Sequence, residues 1–161
     1  MNLVETIEAE DVQTRISIAA RHEAGHAVMA AENGILLRME GIMVGQDGRG
    51  LACYCKHPTG TDASLEAAVV ASFVGCYAEN HFRRLHGYAE RDYEMLMGSL
   101  DWAEARKLEC LFSDEYRAGR MLSTVQNELE TRAEQSVAAK WTAIEGLAQV
   151  LMMKELSRRS R

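Results

Sequence analysis

His22-Glu23-Ala24-Gly25-His26 reads H-E-x-x-H inside the stretch from about Thr14 to Ala31, where small and aliphatic residues (Ile16, Ala19, Ala20, Ala24, Ala27, Val28) recur at helical spacing. That stretch has to be a helix packed into a core. A helix turns about 100° per residue, so His22 and His26 stand one above the other on one face, roughly 6 Å apart along the axis. Both imidazoles can then grip one metal ion. Glu23 lies one step around the helix, beside such an ion rather than on it. Catalytic zinc takes three protein ligands and keeps a fourth position for water, whose pKa falls to about 7. In that scheme His22 and His26 are two of the ligands, and Glu23 is the general base that takes a proton from the water and passes it to the leaving amine. The plainer reading is three helix-surface residues sharing a face, as any i,i+4 pair does; the apolar stripe around the motif argues against it. Gly25 points the same way. A glycine inside a helix costs about 1 kcal/mol relative to alanine, which predicts a close neighbour at that backbone.

The chain has 161 residues, which is room for one domain with a real core and short for two. One proline and twelve glycines favour helix over a turn-rich sandwich. With 18 basic against 24 acidic residues the net charge is −6, so nothing draws the chain to nucleic acid or to an anionic membrane. The basic cluster Arg158, Arg159 and Arg161 suits the C-terminal end of a helix dipole. No apolar run approaches a membrane span, and the acidic segment Met1 to Asp11 is unlike a signal peptide, so the sequence reads as soluble and cytoplasmic. Cys53, Cys55, Cys76 and Cys110 are too few and scattered for a disulfide scaffold. The Cys53/Cys55 spacing is not that of a zinc knuckle, and the pair is expected to be buried thiols.

Along the chain, Asn33-Gly34 stops the motif helix, and Ile35 to Val44 has the aliphatic content of a strand. The turn Gly45-Gln46-Asp47-Gly48 leads to a second strand, Leu51 to Lys56, paired with the first as a hairpin. Thr61, Asp62 and Ser64 can cap a helix from about Ala63 to Leu85. A polar stretch, His86 to Asp92, follows, and Ser99 is the expected N-cap of a further helix. From about Asp114 to Ser157, Met121, Val125, Leu129, Ala133, Val137, Trp141, Ile144, Leu147 and Leu151 predict one long helix or a helical pair whose stripe packs in the core. The fold class is therefore mainly α with a small β-hairpin. It is a single domain in which 1–110 form the zinc-site region and 111–161 a helical tail.

Two histidines leave a zinc site incomplete, and a third Asp, Glu or His has to come back to it. Position 32, where a metzincin would need its histidine, is Glu32, which excludes that class. Glu79 or Glu104 on a later helix, or Asp101 at the start of one, can fill the place.

His22 to Ala30, HEAGHAVMA, resembles the zinc-site helix of the FtsH-type ATP-dependent metalloproteases. Arg49-Gly50-Leu51-Ala52 is similar to that family's glycine-rich hairpin, Val74 to Glu79 (VGCYAE) to its middle helix, and Ser99-Leu100-Asp101 with Ala105 to its third-ligand segment, over roughly Arg21 to Lys107. The resemblance implies a helical zincin fold, Zn2+ held by His22, His26 and Asp101, Glu23 as catalytic base, and cleavage of peptide bonds. Val74, Cys76, Tyr77 and Asn80 depart from the usual middle-helix pattern, which changes what packs behind the site. His57, His81 and His86 match nothing in that site and are expected at the surface or partly buried.

The family carries an AAA ATPase module and a membrane anchor, whereas this sequence has no G-x-x-x-x-G-K-[ST] loop. The expectation is a protease domain standing alone, acting on unfolded polypeptide or peptides, with ATP dependence only through a separate ATPase partner in trans. Substrate would lie extended along the hairpin strand at Leu51, Ala52 and Cys53, held by main-chain hydrogen bonds. The family's hexameric rings make a homo-oligomer conceivable by resemblance. The competing readings are a non-catalytic zinc-containing binding or adaptor module, and a zinc hydrolase with a small non-peptide substrate.

Overall fold

The computed structural model describes residues 11–35, 37–45, 50–54 and 60–159, without the side chains of 37–40, 51–54, 156, 158 and 159. The element order is α1 (Val12–Glu32), β1 (Leu37–Val44), β2 (Gly50–Tyr54), α2 (Asp62–Leu85), α3 (Tyr93–Met97), α4 (Leu100–Glu109), α5 (Asp114–Arg117) and α6 (Leu122–Arg159). The molecule is mainly α-helical.

Local chemistry explains the ends of the long helices. Asp11 caps α1 by accepting from the Thr14 N–H at 2.7 Å, and Thr61 with Ser64 forms a reciprocal capping box at the start of α2. At their C-termini α1 and α2 close the same way. Gly34 and Gly87 take positive φ, and the following residues donate back into the last turn, Ile35 N–H to Ala30 at 2.8 Å and Tyr88 N–H to Arg83 at 2.9 Å. Both glycines turn the chain sharply without a Cβ in the way.

The core is formed where α1, α2 and α6 pack on one another, with α4 laid against α2. Phe73 and Trp102 meet in it with ring centroids 4.5 Å apart, and Val69, Val74, Leu129, Val137 and Ile144 are buried in the same core. Gly25 has the predicted close neighbour: a Cβ there would stand 2.9 Å from the Ala78 Cβ and 3.2 Å from Val74 Cγ1, so the α1–α2 crossing needs glycine. Arg21, buried among these helices, ties α1 to α6 through two hydrogen bonds to Glu145 at 2.5 and 3.0 Å.

β1 and β2 pair antiparallel, Val44 opposite Gly50 and Ile42 opposite Ala52, with an irregularity between Leu37 and Ile42. Ile35, expected in the first strand, precedes it as a buried residue, and β2 begins one residue early at Gly50; the proposed turn at 46–48 and the expected end of the second strand at Cys55 and Lys56 lie outside the described residues. In the tail, one long helix carries the expected stripe, but it begins later than Asp114: the chain breaks after the single turn α5 and restarts as the 38-residue α6. Gly119, with φ +72°, sits in that break, and Met121, expected in the stripe, is exposed at its edge. The short helix α3 lies between the expected elements; Asp92 caps it, accepting from the Met95 N–H at 2.9 Å.

Candidate metal centre

α1 presents His22 and His26 toward α2 and the first turn of α4. Ser99 fixes that turn by accepting from the Trp102 N–H, and Asp101 projects from it to both histidines. The Nε2 atoms of His22 and His26 are 3.2 Å apart, His22 Nε2 is 3.0 Å from Asp101 Oδ2, and His26 Nε2 is 3.3 Å from Asp101 Oδ1. Three donor groups thus form a triangle. Ligands about 2.0–2.1 Å from zinc at tetrahedral angles stand roughly 3.3 Å from one another, so these groups fit one zinc ion.

Both imidazoles are held from behind. His26 Nδ1 lies 2.7 Å from the Ala71 carbonyl, which can only accept, so the proton sits on Nδ1 and Nε2 is left with a lone pair. His22 Nδ1 faces Glu79 Oε2 at 3.5 Å, a longer contact of the same sense. Glu79 is buried; it accepts from Arg83 Nε at 2.9 Å and forms an ion pair with Arg91 Nε at 2.8 Å. Burial works to raise the Glu79 carboxyl, but His22, Arg91 and Arg83 outweigh it and keep it below the usual range. Burial likewise opposes a charged His22, yet Asp101 and Glu79 push its pKa up to about 10. Asp101 follows the same balance, with burial overcome by the two histidines, which hold it well below the carboxylate range. The cluster therefore wants a cation. A proton fills that need when nothing else does.

Glu23 is buried beside the triangle, and burial raises its carboxyl above the usual range. Its neighbour is the main chain of β2: a Cβ on Gly50 would overlap the Glu23 carboxylate. Gly75 of α2 plays the matching part on the other side, where a Cβ would overlap the His26 ring and stand 2.8 Å from His22 Nε2. His22, Glu23, His26, Gly50 and Asp101 line one cleft of about 730 Å³, together with Arg91, Glu104 and Lys107.

The three residues offered as third ligand thus separate. Asp101 reaches both Nε2 atoms, Glu79 supports His22 from outside, and Glu104 pairs with Lys107 at 3.3 Å on the cleft wall. Leu51, Ala52 and Cys53 lie on β2, where Leu51 and Ala52 pair with Met43 and Ile42; their side chains, like all of Cys55 and His57, are outside the described residues. His81 is half-buried against Trp141 and His86 is exposed.

Two participants escaped the sequence reading. Arg91 came from a stretch read only as polar, and Cys76 was noted only as a departure from the resembled family's middle helix. Cys76 Sγ donates to Asp101 Oδ2 at 3.3 Å, and His22, Cys76 and Asp101 offer donor atoms within 4.8 Å of one another. Burial, with Asp101 beside it, pushes this thiol up.

No protein-family model, curated protein or solved structure matches the chain. Among the described residues no helix is long and apolar enough to cross a membrane. Fold and site together define a mainly α protein with a His-His-Asp donor triangle in a cleft.

Proposed function

We propose that this chain is a zinc metalloendopeptidase of the FtsH-peptidase type, with a helical zincin fold, that cleaves peptide bonds in unfolded proteins or peptides. The observation that carries the reading is the triangle of His22, His26 and Asp101, with Glu23 buried beside it in the same cleft. His22, His26 and Asp101 would hold the ion. A zinc ion there supplies Lewis acidity toward a substrate carbonyl and makes water a nucleophile near neutral pH. Glu23, its carboxyl raised by burial, takes the proton from the attacking water and returns it to the leaving amine. Glu79 and the Ala71 carbonyl keep the imidazoles turned the right way throughout. An extended substrate would run along β2, whose start at Gly50 lies against Glu23, and be held by main-chain hydrogen bonds. An ATPase, where one takes part, acts as a separate partner. A cytoplasmic setting belongs to the same reading and agrees with the free thiols Cys76 and Cys110.

The test is metal content with activity. Wild-type protein is expected to hold about one zinc per chain and to degrade an unfolded protein substrate; Asp101→Ala is expected to lose both. An Asp101→Ala protein that keeps its zinc and its turnover would remove the proposed ligand set.

Cys76 favours one second reading, a closed and non-catalytic zinc site in an adaptor module. A thiolate from Cys76 on the ion would take the position that water needs. Cobalt-substituted protein separates the two, because a cobalt–thiolate charge-transfer band that disappears in Cys76→Ser belongs to the closed site alone.

A further inference from the structure

Arg91 is held more firmly than a loop residue needs to be. Asn80, buried on α2, clasps its main chain at both ends, donating to the Arg91 carbonyl at 2.9 Å and accepting from the Arg91 N–H at 2.8 Å. Its side chain is fixed as well, through Nε to Glu79 Oε1 at 2.8 Å. The main chain just before it is pinned by Arg83, which donates to the Ala89 carbonyl at 3.2 Å. Yet Arg91 lines the cleft, its side chain is 37% exposed, and among the described residues neither Nη atom has a hydrogen-bond partner. One edge of the guanidinium is used to orient it. The other is left for something that enters the cleft.

We infer that Arg91 is a substrate-binding residue that receives a peptide carboxylate, either the C-terminal α-carboxylate or an acidic side chain, close to the scissile bond. The inference rests on the peptidase reading of the same cleft. A planar guanidinium fork matches the two oxygens of a carboxylate, and orientation through Nε leaves the two Nη groups for that contact. Position sets the reach. The path from His22 Nε2 through Glu79 to Arg91 Nε, built from contacts of 3.5 and 2.8 Å joined by an imidazole and a carboxylate, spans at most roughly 11 Å. An extended peptide covers that distance in about three residues. Lys107, on the same cleft wall, adds a second cation, though it is paired with Glu104. Asn80 thus fixes the main chain from which Arg91 reaches into the cleft.

The experiment uses the full-length, zinc-loaded Glu23→Gln protein, so that peptides bind without being consumed. Three fluorescent peptides share one neutral sequence: the first ends in a free carboxylate, the second in a carboxamide, and the third carries the carboxamide and one Glu in place of a neutral residue. The expected result is at least about tenfold tighter binding of one carboxylate-bearing peptide than of the capped neutral one. Preference for the first identifies a C-terminal anchor, and preference for the third identifies an acidic side chain. Adding Arg91→Gln is expected to erase the preference while zinc content and neutral-peptide affinity hold; Arg91→Lys restores part of it. Equal or absent binding of the three peptides overturns the proposal. So does an Arg91→Gln protein that loses zinc or weakens all peptides alike, since Arg91 would then serve only to support Glu79. Wild-type protein that shows the Arg91-dependent preference but cleaves none of the peptides removes the peptidase reading and leaves Arg91 as a binding residue.

Discussion

Gly75 decides how much room the candidate metal centre has. Its missing side chain is the space into which His22 and His26 point their Nε2 atoms, and a methyl group there would overlap the His26 ring. Gly75→Ala is therefore expected to abolish zinc binding while the helices persist, because α2 itself gains a better helix former. Metal analysis beside far-ultraviolet circular dichroism checks this; full zinc occupancy in the variant would show that the histidines point elsewhere. At this scale His22, Glu23 and His26 were legible because a four-residue spacing on a helix fixes their geometry locally. Asp101, 79 residues beyond His22, was one of three acids open to the third place, and only the resemblance singled it out. Glu79 as the support of His22, Cys76 against Asp101, and Arg91 were not legible, since each depends on which residues meet when α1, α2 and α4 pack. Asn80 shows the reason well: its amide clasps a main chain eleven residues away, and no local pattern announces that.

Among the elements, the α1–α2 crossing sets the site, since it brings the two histidines against Ala71, Gly75 and Glu79. Gly25→Val forces its branched side chain into Ala78 and Val74 and is expected to cost about 1–3 kcal/mol, read as a fall in Tm of several degrees. An unchanged Tm would mean that the crossing is looser than 2.9 Å implies. The α1–α6 tie gives a pH dependence. Burial works to raise the Glu145 carboxyl, but Arg21 and Gln149 outweigh it and hold it below its usual range. A group depressed in this way adds stability that is full above its unfolded pKa, about 4.3, and is lost as pH falls through the native value. Wild-type Tm is thus expected to exceed that of Glu145→Gln at neutral pH, with the gap closing below about pH 4. A gap that widens on acidification would contradict the sign. The long helices, the cap of α2 at Thr61 and Ser64 and the stop of α1 at Asn33-Gly34 were readable because capping residues and apolar periodicity act within a few positions, whereas Asp11 as the cap of α1 was missed. α3 and the break after α5 were not. One turn of helix carries too little periodicity to see, and Met121 has the spacing of the stripe but lies just before α6, where it is exposed.

Taken whole, the molecule is a helical scaffold that carries a His-His-Asp cluster in a cleft. α1, α2 and α6 share one buried core, and α4 and the hairpin close on the face where the histidines emerge. Rigid helices hold His22, His26, Glu79 and Asp101, which is what a site needing donor atoms placed within fractions of an ångström requires. The side that would receive substrate is built differently, from the main chain of β2 and the tethered segment around Arg91. Under the proposed function, Glu23 is the base of a zinc-dependent peptide hydrolysis. The most direct measurement compares zinc content and degradation of an unfolded protein for wild type and Glu23→Gln. Expected are about one zinc per chain in both and a fall in turnover by at least about a hundredfold in the variant, the usual worth of a positioned general base. Turnover by Glu23→Gln at the wild-type rate, with zinc bound, would contradict it.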